Sequence, residues 1–334
     1  MAGTTRYYDA GVSPAVDVYV ERQMLKHAQP VLVLEKTGPL IKPMPKNAGM
    51  SIDFRRPKIF SPATTPLMEG VTPSMTSFRY DHVRGTLKQY GDVVGVTDWI
   101  EDLHTDPVLN DAAEQCGENI GRTREALNWG VLRAGLNVYY ANGTSRANVN
   151  SPITLAKQRA VIRGLKTNKA MKITKVLDGS VNFKTSPIEA AFIGVCHTDL
   201  ESDIRNLPGF TPCAEYGSRR PICEHEIGSV EDVRYLCSPD LDPFANAGGA
   251  AGTMISTSGT NADVYPILYF GKEAWGMVPL RGMGAVSPTV IRPGVKDKSD
   301  PLGQRGFVGW SMWHLAIILN HSWMCRLEVS ATAL

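Results

Sequence analysis

The chain has 334 residues, 43% of them hydrophobic and 20% charged, and a formal net charge of +2. That length allows one large domain or two ordinary ones, and that composition supports a packed core and excludes a disordered polymer. The near-neutral balance excludes nucleic-acid binding by general charge neutralisation, which needs a clustered basic face, and leaves room only for local contacts.

In chain order, residues 1–50 read as an arm. Ser13-Pro14 can open a short helix through VDVYVERQMLKHAQ, with Pro14 at its first position and Pro30 ending it. The following VLVLEKTGPLIKPMPKNAGM carries Pro39, Pro43 and Pro45 and reads as extended and poorly self-packing. Next comes a polar excursion without apolar periodicity, FSPATTPLMEGVTPSMTSFRYD at 60–81. Strand-like text flanks it, SIDFRRPKIF before and HVRGTLKQYGDVVGVTD after. Pro57, Pro62, Pro66 and Pro73 keep it extended and deny it helix. A compact domain rarely keeps so long a structureless segment without a job for it. The pattern predicts a long two-stranded arm that cannot bury itself and needs a neighbouring molecule to lie on.

A long helix is predicted over 106–135, with Asp106 as N-cap, Pro107 in the first turn and Gly135 as the stop. Its stripe is Leu109, Ala112, Ala113, Cys116, Ile120, Leu127, Val131 and Ala134. A second helix is predicted over 154–168, capped by Thr154, with Leu155, Val161, Ile162 and Leu165 facing inward. Ala191 to Val195 reads as a buried strand and Thr198-Asp199 as a cap. Residues 208–262, rich in Gly, Pro, Ser and Thr, read as loops on a smaller mixed domain. Strand character resumes in VYPILYF at 264–270. It is strongest over 306–329, where 310–319 is apolar at both parities and so expected to be covered on both sides. Separate helix and strand blocks make the fold class α+β.

Six cysteines (Cys116, Cys196, Cys213, Cys223, Cys237 and Cys325) are spread too thinly for a disulfide scaffold. The opening MAGTTRYYDAGVSPA lacks the basic start and apolar run of a signal peptide. Reduced thiols in a cytoplasmic setting are expected. The apolar run within WSMWHLAIILNHSW at 310–323 is too short and too interrupted to span a membrane as a helix.

No GxSxG and no GxxxxGK occurs, and the glycines at 248, 249 and 252 follow no strand and fit no dinucleotide fingerprint. Cys213, Cys223, His225 and Cys237 form the tightest set of metal-type ligands, but without a close Cys pair they read as isolated structural thiols. The carboxylates Glu231, Asp232, Asp240 and Asp242 lack a glycine-turned calcium loop and read as solvated. Asp98, Glu101, Asp102 and His104 fit a helix dipole better than acid–base chemistry. Arg55, Arg56 and Lys58 read as a solubilising strand edge or as salt-bridge donors to a neighbour. No catalytic residue, cofactor or metal site is expected.

Taken in order, several motifs carry a resemblance: KPMPKNAGMSIDFRRPKIF, PATTPLMEGVTP, QYGDVVGVTDWIED and DPVLNDAAEQCGENIGRTREALNWGVLRAG, then VYPILYFGKEAWGMVPL and SDPLGQRGFVGWSMWHLAIILNHSWMCRLEV. Spanning most of the chain, they resemble phage major capsid proteins of the coliphage N-four type, which adopt the Hong Kong 97 capsid fold. The resemblance implies an N-terminal arm at 1–50, an extended-loop hairpin over the adjacent subunit at 51–97, a peripheral domain at 98–187 and 286–334 with the long helix as its spine, and an axial domain at 188–285. It implies hexamers and pentamers closing into an icosahedral head around double-stranded DNA. The expected partners are other copies of the chain, a portal protein, a separate scaffolding protein, a decoration or cement protein and packaged DNA touched non-specifically on the inner surface, but no membrane. The expected location is the virion, after assembly in the host bacterial cytoplasm. Some relatives link subunits through Lys-Asn bonds. Lys58 and Lys88 are present, but nothing marks a pair, so a non-covalent lattice is expected.

The residues expected to touch neighbours are Tyr7, Tyr8, Val18 and Tyr19 in the arm, Arg55, Arg56 and Lys58 on the hairpin stem, and Pro62, Thr64, Pro66, Met68, Glu69 and Met75 at its tip. The rival readings are an α+β hydrolase or transferase with a mobile lid at 60–81, or a phage decoration or tail protein.

Overall fold

A computed structural model of the chain describes residues 4–5, 32–45, 47–70, 72, 75–103, 108–177, 185–217, 219–280, 286–294, 296 and 300–334. The first half runs β1 (Thr4–Thr5), β2 (Leu40–Ile41), β3 (Ser51–Pro57), β4 (Tyr80–Thr86), β5 (Lys88–Thr97), α1 (Asp98–Leu103), α2 (Val108–Leu132), β6 (Val138–Tyr140), α3 (Leu155–Thr167) and β7 (Ile173–Leu177). The second runs β8 (Thr185–His197), α4 (Glu201–Arg205), β9 (Phe210–Pro212), β10 (Glu226–Val230), β11 (Val233–Ser238), β12 (Tyr265–Phe270), β13 (Trp275–Met277), β14 (Val286–Ile291), β15 (Arg305–His314), β16 (Ala316–Ile318) and β17 (Met324–Val329). The class is α+β, as expected.

The largest sheet has eight strands, in the order β6-β17-β12-β8-β11-β10-β9 with β7 beside β8. Every residue of β11, β12 and β17 is buried, so this sheet is covered on both faces. Alternation sorts the side chains. Tyr265, Ile267 and Tyr269 face one core with Val161 and Leu165 of α3, while Leu268 and Phe270 face the other with Trp129 and Leu132 of α2. Thr154 caps α3, its side chain accepting from the Lys157 amide. Gln158 is buried because it is satisfied twice, donating to Val230 O at 3.0 Å and accepting from the Tyr235 hydroxyl at 3.0 Å.

The long helix α2 has 25 residues, about 37 Å at 1.5 Å per residue. Its first half lies on the four-stranded sheet β1-β5-β15-β14, where Cys116 packs with Val308, Trp310 and Met312. Its second half enters the larger core through Trp129 and Leu132. The buried face therefore also includes Glu125 and Asn128, which the apolar stripe omits. The expected N-cap Asp106 lies outside the described residues, and a separate short helix, α1, precedes the long one. Gly135 is not a left-handed stop. A Cβ there would run into Met324 Cε, so this glycine admits close packing against β17.

Three further expectations are corrected. First, part of the segment expected to pack poorly on its own chain is built into the body. Val33 and Leu34 are fully buried, the Leu34 amide donates to Glu125 Oε1 at 3.0 Å, β2 pairs in parallel with β13, and Met44 bridges to Leu280. The helix expected from Pro14 lies outside the described residues. Second, residues 208–262 are not merely loops, since they supply β9, β10 and β11 to the eight-stranded sheet. Third, 306–329 is not one strand. β15, β16 and β17 belong to three different sheets. The expected cover on both sides is met over 313–319, where Trp313, Leu315, Ile317 and Leu319 pack on the core under the ribbon root and Ala316 and Ile318 on the opposite one, while the start of β15 leaves Phe307 exposed.

Candidate functional site

The ribbon β3–β4 is antiparallel and in register from Ser51↔Thr86 to Pro57↔Tyr80. One face of its root is apolar. Phe54 and Leu87 are buried with Met44 and Val278, and Ile52 and Val83 pack beside them. Gly85 lets this root close on the body, because a Cβ there would meet Leu315 Cδ2 at 2.7 Å and Ile317 Cδ1 at 3.0 Å. Beyond the root the packing stops. Every described residue from 55 to 82 is exposed.

That exposed stretch is not polar. Ile59, Phe60, Leu67, Met68, Met75, Phe78 and Tyr80 all lie on it, with Met75 98% exposed and Ile59 79%. Phe60, Phe78, Tyr80 and His82 form a ladder of rings, at successive centroid distances of 5.9, 4.7 and 6.5 Å. Phe78, Tyr80 and His82 share a face because side chains alternate along a strand. A soluble chain rarely leaves so much contiguous apolar surface bare unless something covers it.

The two stem arginines are partnered inside the ribbon. Arg56 bonds Asp81 on the opposite strand at 3.3 Å, and Arg55 lies 3.8 Å from Asp53. The His82 ring donates to Asp53 Oδ2 at 2.8 Å, and that bond, aided by the nearby arginines, holds the Asp53 carboxyl below its usual range. Pro62, Thr64, Pro66, Met68, Glu69 and Met75 are exposed at the tip, and Lys58 is exposed on the stem. Tyr7, Tyr8, Val18 and Tyr19 lie outside the described residues. The sequence pattern as read above omits Ile59, Phe60, Phe78, Tyr80 and His82, although the period-two spacing of the last three is there to be read.

A second bare surface lies on the four-stranded sheet. β5 and β15 pair over ten residues, from Lys88↔His314 to Thr97↔Arg305. One face carries Val94, Val308, Trp310 and Met312 under α2. The opposite face leaves Val93, Phe307 and Ile291 exposed.

Elsewhere, the polar groups are structural. Cys196 and Cys237 are partners on adjacent parallel strands with their sulfurs 3.1 Å apart, and the Cys213 thiol donates to Glu226 O at 3.0 Å. All six cysteines are free, and burial raises the thiol pKa of Cys196, Cys213 and Cys223. Among the described residues, no three His, Cys, Asp or Glu side chains converge as a metal site. Arg159 holds Glu231, while Lys166 and Lys172 hold Asp232. Asp98 opens α1, its carboxylate accepting from the Trp99 amide at 2.9 Å, and His104 lies outside the described residues. Among the described residues, no helix is long and apolar enough to cross a membrane.

Under α2, Glu125 accepts from Leu34 N, and burial pushes its carboxyl up to about 8, helped by the nearby Glu35 and Asp240. Glu35 is itself raised by burial and contacts Arg124. His314 bonds Asn128 Oδ1 through Nε2 at 2.8 Å, and burial lowers the imidazole to about 4.

Residues 83–327 match the profile of a family described as phage capsid protein. No protein of curated function matches the sequence. Among solved structures, the capsid of cyanophage Pam1 aligns with a TM-score of 0.65 at 13% identity, covering 99% of this chain and 100% of that one. The capsid of Ralstonia phage GP4 aligns with a TM-score of 0.64 at 12% identity, covering 96% and 99%. The capsid of cyanophage P-SCSP1u aligns with a TM-score of 0.60 at 15% identity, covering 99% and 98%.

Proposed function

The chain belongs to the phage capsid protein family, and from that premise we propose how it builds a shell. It is a major capsid protein of the phage head with the Hong Kong 97-type fold, a structural protein and not an enzyme. Its place is the virion capsid, and its first partner is another copy of itself.

The ribbon beyond Arg55 lies over an adjacent subunit and sets its apolar rings on the bare face of that neighbour's four-stranded sheet, near Val93, Phe307 and Ile291. The single observation that carries this reading is the ribbon itself, exposed at every described residue from 55 to 82 yet rich in large apolar side chains. A lid would bury such side chains against its own chain. The contact is between unlike patches, so it propagates from copy to copy and closes into rings. Rings of six and five close the icosahedral shell, and the summed burial reaches the roughly 2,000–5,000 Å² of obligate interfaces.

The division of labour is an arm at 1–50, an overlapping ribbon at 51–97, a peripheral part at 98–187 and 286–334 braced by α2, and an axial part at 188–285. The eight-stranded sheet is built mostly from the axial part but also draws in β6, β7 and β17. The order of motifs along the chain supports the coliphage N-four type in particular. A portal, a scaffolding protein, a cement protein and packaged duplex DNA complete the set of partners, with assembly in the bacterial cytoplasm. Negative-stain imaging of the purified chain tests the reading. Closed shells are expected, and a species that stays as single globules under all assembly conditions overturns it.

A further inference from the structure

We propose that the exposed face of α3, with the turn after it, is the surface this subunit presents to the phosphate backbone of duplex DNA, and so the inner face of its shell. The inference rests on the shell reading and adds the surface and the chemistry to it.

From 155 to 177 the chain carries seven Lys or Arg and no Asp or Glu, in a protein whose total balance is only +2. The helix decides where they point. Gln158, Val161, Ile162 and Leu165 are buried on the sheet side. Arg159, Arg163 and Lys166, spaced by four and three, therefore fall in one stripe on the open side, and all three are exposed. Lys169 is exposed just beyond the helix end, and Lys172 is half-buried.

Two carboxylates answer this stripe, both in the β10–β11 turn. Glu231 accepts from Arg159 at 2.8 Å, and Asp232 accepts from Lys172 at 2.8 Å and also from Lys166. These cations hold the Asp232 carboxyl below its usual range. An open cleft of about 460 Å³ runs between α3 and the turn. Arg163 and Lys169 make no ion pair among the described residues. The stripe thus keeps a surplus of positive charge after its own acids are counted.

The neighbours of these cations say what kind of partner fits. A protein partner wants a large apolar or aromatic anchor at the centre of the contact, with charges at the rim. The ribbon offers such anchors and the stripe does not. Between its cations stand Ala160, Thr167 and Asn168, and Met171 is the one large apolar side chain exposed along it among the described residues. Two rings lie beside it, Tyr139 with its hydroxyl against Gly164 and Trp323 donating through Nε1 to Asn168 O at 3.1 Å, and both are half-buried, so neither stands free for a base to stack on. Single strands are gripped by such stacking, whereas sequence-independent binding of duplex rests on phosphate contacts. A linear cationic stripe without aromatics suits the duplex.

The test uses the full chain with Arg163→Gln and Lys169→Gln together, two cations whose removal breaks no ion pair among the described residues. Binding of a short mixed-sequence duplex is measured across a salt series, and shells are imaged in parallel. Each cation that ceases to neutralise a phosphate lowers the log–log salt slope by about 0.9. The double variant should therefore have a slope smaller by about two, which makes its affinity roughly tenfold less sensitive between about 50 and 200 mM salt. Its shells should form as the parent's do. An unchanged affinity and slope overturns the proposal. So does the disappearance of shells with DNA binding intact, because the stripe would then be an interface between copies. If the parent binds duplex through this stripe but never forms shells, the shell reading falls and the binding surface stands. In filled heads Lys169 should react with a lysine reagent more slowly than in empty shells, and equal labelling overturns the inner placement.

Discussion

The ribbon at 51–86 and the segment at 32–45 look alike as sequence. Both read as extended, both carry prolines, and neither shows helical periodicity, although Leu34–Thr37 forms one 3-10 turn. They end up in opposite environments. Leu34 is fully buried and its amide is bonded to Glu125, β2 adds an edge to β13, and Met44 sits in the core under the ribbon root. The ribbon has the same kind of anchors only at its root, in Ile52, Phe54 and Val83, and nothing described between Arg55 and His82 is buried. The difference teaches that prolines set extension but not destination. What decides is whether apolar side chains meet a partner within reach on the same chain, and the described outer ribbon meets none.

Removing 64–72 is the largest test of this contrast. The segment's described residues touch no core, so the stability of the subunit should stay within the roughly 0.5 kcal/mol of a neutral surface change. Shells, however, should vanish from electron micrographs. Shells at normal yield would mean that the outer ribbon has no role in assembly. The matching cut in the other region is Leu34→Ala. Truncating a fully buried leucine should destabilise the subunit by about 2–5 kcal/mol in a denaturant titration. A change below about 0.5 kcal/mol, the size of a neutral surface substitution, would mean that the 32–45 segment is only draped on the body.

The grip on that segment also has a pH signature. Glu125 titrates near 8 in the folded chain, against an ordinary carboxyl value near 4.5. The fold therefore holds a proton that the unfolded chain releases between those limits, and stability falls as pH rises from about 4.5 to about 8. Each pH unit in that window is worth at most about 1.4 kcal/mol. Glu125→Gln removes the proton exchange, so the variant's own curve should be flatter than the parent's and the difference between the two should slope across this window. Parallel curves for the two proteins across this window would show that Glu125 is ionised in the fold. His314 acts on the acid side through a lowered value, and the difference curve cancels it.

Much of this was legible in the sequence, for stateable reasons. Thr154 and the Val161–Ile162–Leu165 stripe give α3 nearly to the residue, because a cap and a periodic apolar face are both local signals. The ribbon was legible from its aperiodic, proline-rich middle. The buried face of α2 was not, because Glu125 and Asn128 look solvent-facing until Leu34 and His314 are seen to bond them. β10 and β11 were missed for a related reason. Arg234 and Glu226 read as loop charges, yet they form a bidentate buried pair at 2.6 and 2.9 Å that ties the two strands together. The two stem arginines are less free than their sequence suggests, since Arg55 and Arg56 have their ion partners, Asp53 and Asp81, on the ribbon itself.

Arg56 sits where the two regimes meet, and its test has the smallest expected effect. It pairs with Asp81 across the ribbon with both side chains about half exposed, and its guanidinium lies 5.9 Å from the Trp323 ring on the body. An exposed pair of this kind contributes about 0–1 kcal/mol, so Arg56→Glu should barely move the melting transition of the subunit. The change does set two carboxylates opposite each other at the point where the ribbon leaves its root. Like charges directly opposite are unfavourable in a two-stranded ladder, and they should splay the ribbon's exit. Assembly should weaken, most at low salt and least above about 0.1 M, where the screening length falls to about 10 Å. A defect that is equal at every salt concentration would locate the cause in the missing packing against Trp323. Undiminished assembly at low salt would show that the ribbon's direction is fixed by its apolar root alone.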